Sequence, residues 1–197
     1  YITKVLISCA GGLSQPSFPY IKGIDTFKGH LFHSAKWDKN YNLTNKTVAV
    51  IGTGASAIQI VPAIAPEVKQ LYLFQRTAPW IIPKPDKEIS SLRKWLYNHL
   101  PFVQQLHRKR LYWQHEAMAL AFIKQPNLLK LFSKIALRFL KKSVPDEKLR
   151  QKLTPNYIMG CKRVLLSNNY YPALIRKNVE VVTDHIQEIN AGGIVTN

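Results

Sequence analysis

The stretch VAVIGTGASAIQ, from Val48 to Gln59, decides the fold. Thr47 to Ile51 form an apolar run of strand length, and the apolar residues that follow Ala55 recur at helical spacing. The turn between them fits G-x-G-x-x-A, in which the first glycine permits a tight turn and the second lets the backbone approach a pyrophosphate. A small third residue lets the helix pack closely on the strand. The stretch therefore predicts a strand, a phosphate-binding turn and a helix.

The turn and the first helical residues are the predicted phosphate contacts. Free N–H groups and the positive end of the helix dipole hold anions at such a helix start. The residues expected to bind the cofactor here are Gly52, Thr53, Gly54, Ala55, Ser56, Ala57 and Gln59.

A second β-rich run, Gln70 to Phe74, follows within about thirty residues, which makes a βαβ unit with a parallel sheet. Nicotinamide dinucleotides are distinguished at the end of this strand, where a carboxylate accepts from a ribose 2'-hydroxyl. This chain has Arg76 and Thr77 there instead. A guanidinium offers a planar fork of donors to a 2'-phosphate, so the positions favour NADP over NAD.

The pattern of residue types along the chain changes three times. Residues 1–44 are a loop-rich linker, apart from a short β-branched run at 2–8, and residues 45–86 form the first part of the nucleotide domain. Residues 87–153 have a helical pattern, and 154–197 return to strand patterns, notably at 179–183 and 186–189. The predicted fold is α/β, a Rossmann-like NADP-binding domain with a parallel sheet interrupted by an α-helical insertion.

Composition limits the partners and the compartment. The 28 Lys and Arg against 11 Asp and Glu give a net charge of +17, which indicates an anionic partner. Cys9 and Cys161 are too few and too far apart for a disulfide framework or a metal site, and His99, His107 and His115 lack metal-ligand spacing. No apolar run of membrane length and no secretion signal occur, so we expect a cytoplasmic protein without a metal. A strand under way at residue 2, without an initiator Met, indicates a fragment.

The stretch FKGHLFHSAKWD, residues 27–38, lies just upstream of the glycine turn. It resembles the FxGxxxHxxxW signature of Baeyer-Villiger monooxygenases, and FQRTAPWIIPKPD (74–86) and TPNYIMGCKRVLLSNNYYPAL (154–174) extend the resemblance over most of the chain outside the helices. The residues that match the signature and its following Asp are Phe27, Gly29, His33, Trp37 and Asp38. The expected role of His33 and Trp37 is to position a hinge that moves when cofactor binds.

The resemblance implies an enzyme that uses NADPH, FAD and O2 to convert ketones to esters or lactones. Lys162 and Arg163 match a Lys-Arg pair of the family. By that resemblance Lys162 helps to bind the 2'-phosphate, and Arg163 is the catalytic residue, which contacts the flavin and nicotinamide region. A permanently charged guanidinium stabilises an anionic flavin peroxide without readily supplying a proton.

Two departures from the family follow. Cys9-Ala10-Gly11 stands where the family commonly has Ala-Thr-Gly, and the chain has no second G-x-G-x-x-G for FAD. We therefore expect the FAD-binding domain to be a missing partner, and this chain alone to bind NADPH weakly and to catalyse nothing.

Two alternatives stay open at this stage. The first is a flavin monooxygenase that oxygenates nitrogen or sulfur, and the second is a basic module that binds RNA or anionic lipid. The second rests on a basic amphipathic helix with Lys130, Lys134, Arg138 and Lys141 on one side and Phe132, Ile135 and Phe139 on the other. No nucleic-acid motif accompanies that charge, so nucleic acid is not expected, whereas a peripheral membrane contact is compatible with it.

Overall fold

A computed structural model describes residues 3–5, 7, 9, 15–124 and 126–197. The chain divides into two compact units. One unit combines the described residues up to Leu43 with Asp184–Asn197, and the other is Thr44–Thr183.

The described residues form six α-helices and seven strands. The strands are β1 (Thr47–Ile51), β2 (Gln70–Phe74), β3 (Ile81–Ile82), β4 (Leu165–Leu166), β5 (Val179–Val182), β6 (Ile186–Ile189) and β7 (Ile194–Thr196). The helices are α1 (Ala57–Ile64), α2 (Ser91–His99), α3 (Pro101–Lys124), α4 (Pro126–Ser143), α5 (Glu147–Lys152) and α6 (Tyr170–Leu174).

The second unit is built on a three-stranded parallel sheet in the order β1-β2-β5. Leu71 and Leu73 of β2 are fully buried, and burying one such side chain contributes roughly 1.5–3 kcal/mol. β2 pairs with β5 although α2 to α5 lie between them in sequence. The predicted α/β class, with a parallel sheet interrupted by helices, is confirmed.

Helix α1 lies between the two predicted strands and confirms the βαβ unit. It begins at Ala57, two residues later than the pattern suggested, and contains Pro62 without ending there. Ile58, Val61 and Ile64 are buried, as their helical spacing predicts. Apolar burial, including that against α6, therefore outweighs the cost of a proline within the helix.

The helical pattern of 87–153 is confirmed, but the buried face of α4 differs from the predicted one. Ala136 and Leu140 are buried, and Phe132 and Phe139 are half-buried beside them. Ile135, predicted on this apolar side, is 41% exposed, so that part of the prediction is wrong. Position 135 lies about 100° around the helix from 136, which turns its side chain off the packed stripe.

Helix α6 contributes two adjacent buried tyrosines. Burial raises the pKa of the Tyr170 hydroxyl, with a smaller contribution from Tyr171, and burial also raises the pKa of Tyr171. The Tyr170 hydroxyl has no hydrogen-bond partner in the described part of the chain. Both rings therefore serve mainly as apolar packing between α1, α4 and β5.

The first unit consists of a linker bound to a hairpin. β6 and β7 are antiparallel, and the Ile189 N–H donates to the Lys22 carbonyl at 2.8 Å. Gly23, at φ +76°, is required because a Cβ there would collide with the Ile189 carbonyl oxygen. The strand at 186–189 is confirmed, although 184–197 group with the linker and not with the sheet, whereas the sequence placed them in the nucleotide domain.

The strand predicted at 2–8 is not formed by residues 3–5 and 7, where Val5 and Ile7 are exposed and not covered by a sheet. Residues 2, 6 and 8 and most of the Cys9-Ala10-Gly11 segment lie outside the described residues. No helix among the described residues is both long and apolar enough to cross a bilayer.

Candidate functional site

The glycine turn lies at the carboxyl end of β1, where open parallel sheets bind ligands. Gly52, at φ +109°, donates its N–H to the Phe74 carbonyl at 3.0 Å, which fixes the start of the turn against the end of β2. A Cβ added to Gly52 or to Gly54 would meet no atom within 4 Å. The space over the turn is therefore open to a ligand.

The N–H groups of four consecutive residues, 53–56, donate to no acceptor in the described part of the chain. They precede α1, in which Ile58 donates to the Gly54 carbonyl, and Gln59 and Ile60 both donate to the Ser56 carbonyl. Unpaired N–H groups at a helix start form an anion-binding concavity. These donors and the open space fit the pyrophosphate of a dinucleotide.

Two side chains of the turn make contacts that the sequence did not indicate. The Thr53 hydroxyl donates to the Thr77 carbonyl at 3.0 Å, so the turn is tied to the segment that follows β2. The Gln59 amide donates to the Ala55 carbonyl at 2.9 Å, and Ser56 is exposed at the start of α1 without a side-chain cap.

Arg76 is exposed and forms no hydrogen bond or ion pair within the described residues, so its guanidinium is available to a ligand. The preceding residue, Gln75, is 4% exposed and is a polar member of the core. Its side-chain amide donates to the Lys152 carbonyl at 2.7 Å, and the Lys152 ammonium donates to the Val181 carbonyl at 3.0 Å. The end of α5 is thereby fixed at the carboxyl ends of β2 and β5.

The Lys162-Arg163 pair is attached to the same part of the molecule through β3 and β4. These two strands are parallel, with Ile81 opposite Leu165. Arg76 precedes Ile81 by five residues and Lys162 precedes Leu165 by three, so both basic segments enter this small sheet from the same end. Lys162 and Arg163 are both exposed.

The signature residues form an aromatic loop in the first unit. His33 accepts the Ala35 N–H through Nδ1 at 3.1 Å and packs edge-on against Phe18, whereas Trp37 packs edge-on against Phe32. These contacts give His33 a structural role in the loop.

Asp38 pairs with a histidine that occupies an x position of the FxGxxxHxxxW signature. Its Oδ2 lies 3.0 Å from Nε2 of His30, which stacks on Tyr41 at a centroid distance of 4.0 Å. A Cβ on Gly29 would require the ring of Phe27 to move.

Two surface cavities, of about 320 and 530 Å³, lie between α2 and α3 and beside α5 and α6. Neither contains a predicted site residue, and both are open grooves without a cluster of catalytic side chains.

Comparison with known proteins decides the family. A model of flavin-binding monooxygenase-like proteins matches residues 2–98. The chain is 48% identical to a Baeyer-Villiger monooxygenase of Pseudomonas aeruginosa over 99% of this chain, and 48% identical to one of Streptomyces coelicolor over 97%. The structure matches that of OTEMO in complex with FAD and NADP, with a TM-score of 0.76 and 30% identity, over 95% of this chain and 43% of that chain.

The chain belongs to the Baeyer-Villiger monooxygenase family. It spans 37% of the length of the two curated relatives. The resemblance read from the signature and from the Lys162-Arg163 segment is therefore confirmed at the level of the family, and so is the Rossmann-like fold.

Sequence reasoning missed three residues that fix the backbone around the candidate site of this Baeyer-Villiger family member. They are Gln75, Trp80 and Tyr157, whose contacts join segments about eighty residues apart. Gln75 carried a detectable signal, since it is a polar residue that directly follows a buried strand. Nothing in the sequence pairs Trp80 with Tyr157, because their hydrogen bond depends on how the helices return the chain to β3.

Proposed function

We propose that this chain is the NADPH-binding part of a flavin-dependent monooxygenase that converts ketones to esters or lactones. The observation that carries the proposal is the glycine turn, with four unpaired N–H groups and open space at the carboxyl end of β1. The family membership supports the oxygenase activity and FAD as the second cofactor. FAD would be held mostly by parts of the protein outside these 197 residues.

Different residues of this chain would bind different parts of NADPH. The N–H groups at 53–56 would hold the pyrophosphate, Ala57 would allow the close helix packing, and Gln59 would line the turn. Arg76, Thr77 and Lys162 would bind the 2'-phosphate. Thr53 would orient Thr77 through the hydrogen bond to its carbonyl.

Together the bound cofactors supply hydride transfer and oxygen activation. Arg163 would stabilise negative charge that develops beside the flavin and nicotinamide, because a guanidinium stays charged throughout and does not readily release a proton. Its exposure, and its lack of an acidic partner within the described residues, leave it available for this role.

Arg76→Ala tests the nucleotide site. Loss of a charge-assisted contact to the 2'-phosphate should weaken NADPH binding by roughly 10- to 100-fold and leave NADH binding nearly unchanged. Both are measured by titration of the intact protein, with Arg176→Ala as the control for removal of an exposed arginine elsewhere. Equal losses for the two dinucleotides would assign Arg76 a structural role.

Arg163→Ala tests the catalytic assignment in the intact enzyme. The variant should retain flavin and consume NADPH, while ester formation falls by about 100-fold or more, as expected on removal of a preorganised stabilising charge. Ester and NADPH consumption are measured in parallel, with Arg138→Ala as the control. Normal ester formation would contradict the role of Arg163, and a wild-type enzyme that oxidises sulfides but no ketone would favour the heteroatom oxygenase.

A second candidate property is contact with an anionic membrane surface. Large apolar side chains on α2 and α3 are exposed by 53–69%, and we call them the α2–α3 stripe: Leu92, Trp95, Phe102, Leu106 and Trp113. Residues 89–115 hold five Lys and Arg and no acidic residue. Helix α2 has its apolar residues on one face, as interfacial helices do, whereas those of α3 are spread around the helix and lie among basic residues that attract anionic lipid.

A further inference from the structure

Lys162 lies against an aromatic ring. Its Nζ is 4.8 Å from the ring centroid of Tyr157, within the range of a cation–π contact. A lysine side chain at an exposed position otherwise samples many rotamers, and ordering it on a ligand costs entropy. The ring restricts the ammonium before any ligand arrives.

The Tyr157 ring is itself fixed to the core. The Trp80 indole N–H donates to the Tyr157 carbonyl at 2.9 Å, and the two rings meet edge to face at a centroid distance of 6.5 Å. Trp80 is 6% exposed and packs with Ala136 and Met159. Lys162 is therefore connected through one ring to a buried indole.

Trp80 also links the two basic segments. It follows Arg76 by four residues, and its carbonyl accepts the N–H of Leu165 at 2.9 Å, two residues after Arg163. One buried residue thus fixes the backbone that follows Arg76 and the backbone on both sides of Lys162.

We propose that Tyr157, held by Trp80, is a positioning residue that presents the Lys162 ammonium to the 2'-phosphate and so contributes to selectivity for NADPH over NADH. The proposal rests on the nucleotide site proposed above. An ammonium over an aromatic face keeps N–H donors directed away from the ring, where phosphate oxygens accept them. The ring holds the ammonium in place, and because the ring is uncharged it does not compete with the phosphate for the ammonium as a carboxylate would.

The test compares Tyr157→Leu with Tyr157→Phe in the intact protein. The leucine variant loses the ring, and NADPH binding should weaken roughly two- to fivefold, the range of an exposed cation–π contact, while NADH binding stays unchanged. The phenylalanine variant keeps the ring and should bind NADPH as the wild type does. Binding is measured by titration, so activity is not needed as a readout.

Lys162→Ala separates this proposal from the one on which it rests. If Lys162→Ala weakens NADPH selectively and Tyr157→Leu does not, the positioning role is wrong and the nucleotide site stands. If Lys162→Ala leaves NADPH binding unchanged, the role of Lys162 fails and the inference fails with it. Tyr157→Leu should add nothing in the Lys162→Ala background, and a further loss there would show that the ring acts through general packing.

A spectroscopic measurement covers the case in which Tyr157→Leu does not fold. In wild-type protein with ¹³C-methylated lysines, the Lys162 signal is assigned by its absence from Lys162→Arg. A lysine over an aromatic face is shifted upfield by the ring current. A signal at the position of the other exposed lysines would overturn the inference.

Discussion

Gly52 and Gly54 belong to the same turn, but the backbone conformation favours glycine only at Gly52. Gly52 has φ +109°, a conformation that other L-residues adopt only with strain. Gly54 has no positive φ, and a Cβ there would meet no atom of the described chain within 4 Å. Nothing in the described fold demands a glycine at 54, which fits the close approach of a pyrophosphate in the nucleotide site proposed above.

This contrast predicts opposite outcomes for two substitutions. Gly52→Ala should lower the free energy of unfolding by about 1–2 kcal/mol because of backbone strain. Gly54→Ala should leave that free energy within about 0.5 kcal/mol and weaken NADPH and NADH alike, on the order of tenfold, because the methyl group obstructs the pyrophosphate. Urea denaturation and dinucleotide titration measure the two effects, and tight binding by Gly54→Ala would contradict the placement of the pyrophosphate over the turn.

A sequence allows an individual site residue to be predicted where one residue type is tied to one backbone or ligand requirement. The turn glycines and the absence of a carboxylate at Arg76 belong to that class. The pair of His30 with Asp38 does not, since it depends on the path of the loop between them. A local pattern specifies a residue's chemistry but not the partner that the folded chain brings to it.

At the scale of elements, α1 and α4 differ in how far their sequences specify a buried face. The apolar residues of α1 that the spacing identified are all buried, so its packing could be read directly. In α4, apolar side chains also occur off the packed stripe, with Leu131 56% and Leu137 39% exposed, as Ile135 is. Which of several apolar faces is buried then depends on the neighbouring elements, and the sequence of the helix alone could not select it.

Strand β6 likewise shows that the sequence of one element does not identify the elements that it packs against. Its residues have a strand pattern, and in the structure it pairs with β7. Asn190 holds the turn between the two strands, because its side-chain oxygen accepts the N–H groups of Gly192 and Gly193 at 2.9 Å. The Gly-Gly pair signalled the turn. The grouping of this hairpin with the linker depends on distant contacts such as that of Ile189 with Lys22.

At the scale of the molecule, the net charge of +17 is concentrated in the helices. Half of the Lys and Arg residues lie between residues 93 and 152, where the acidic residues are only Glu116, Asp146 and Glu147. The ion pairs within the described residues join Lys22 to Glu188, His30 to Asp38 and Lys84 to Asp86, and none involves α2, α3 or α4. The charge of these helices is therefore not neutralised within the described chain, which favours an anionic surface as partner.

The proposed membrane contact predicts binding to vesicles that contain phosphatidylserine and none to pure phosphatidylcholine. Reversal of three charges in Arg108→Glu/Lys109→Glu/Arg110→Glu should weaken that binding at least about tenfold, since each basic residue near an anionic surface contributes about 1 kcal/mol. Arg176→Glu/Lys177→Glu, away from the α2–α3 stripe, is the control and should bind nearly as the wild type does. Co-sedimentation at low and physiological salt measures both. If this 197-residue chain binds the vesicles and the intact protein does not, the rest of the protein covers the α2–α3 stripe. If the control loses as much binding as the triple variant, the binding depends on net charge and not on the α2–α3 stripe.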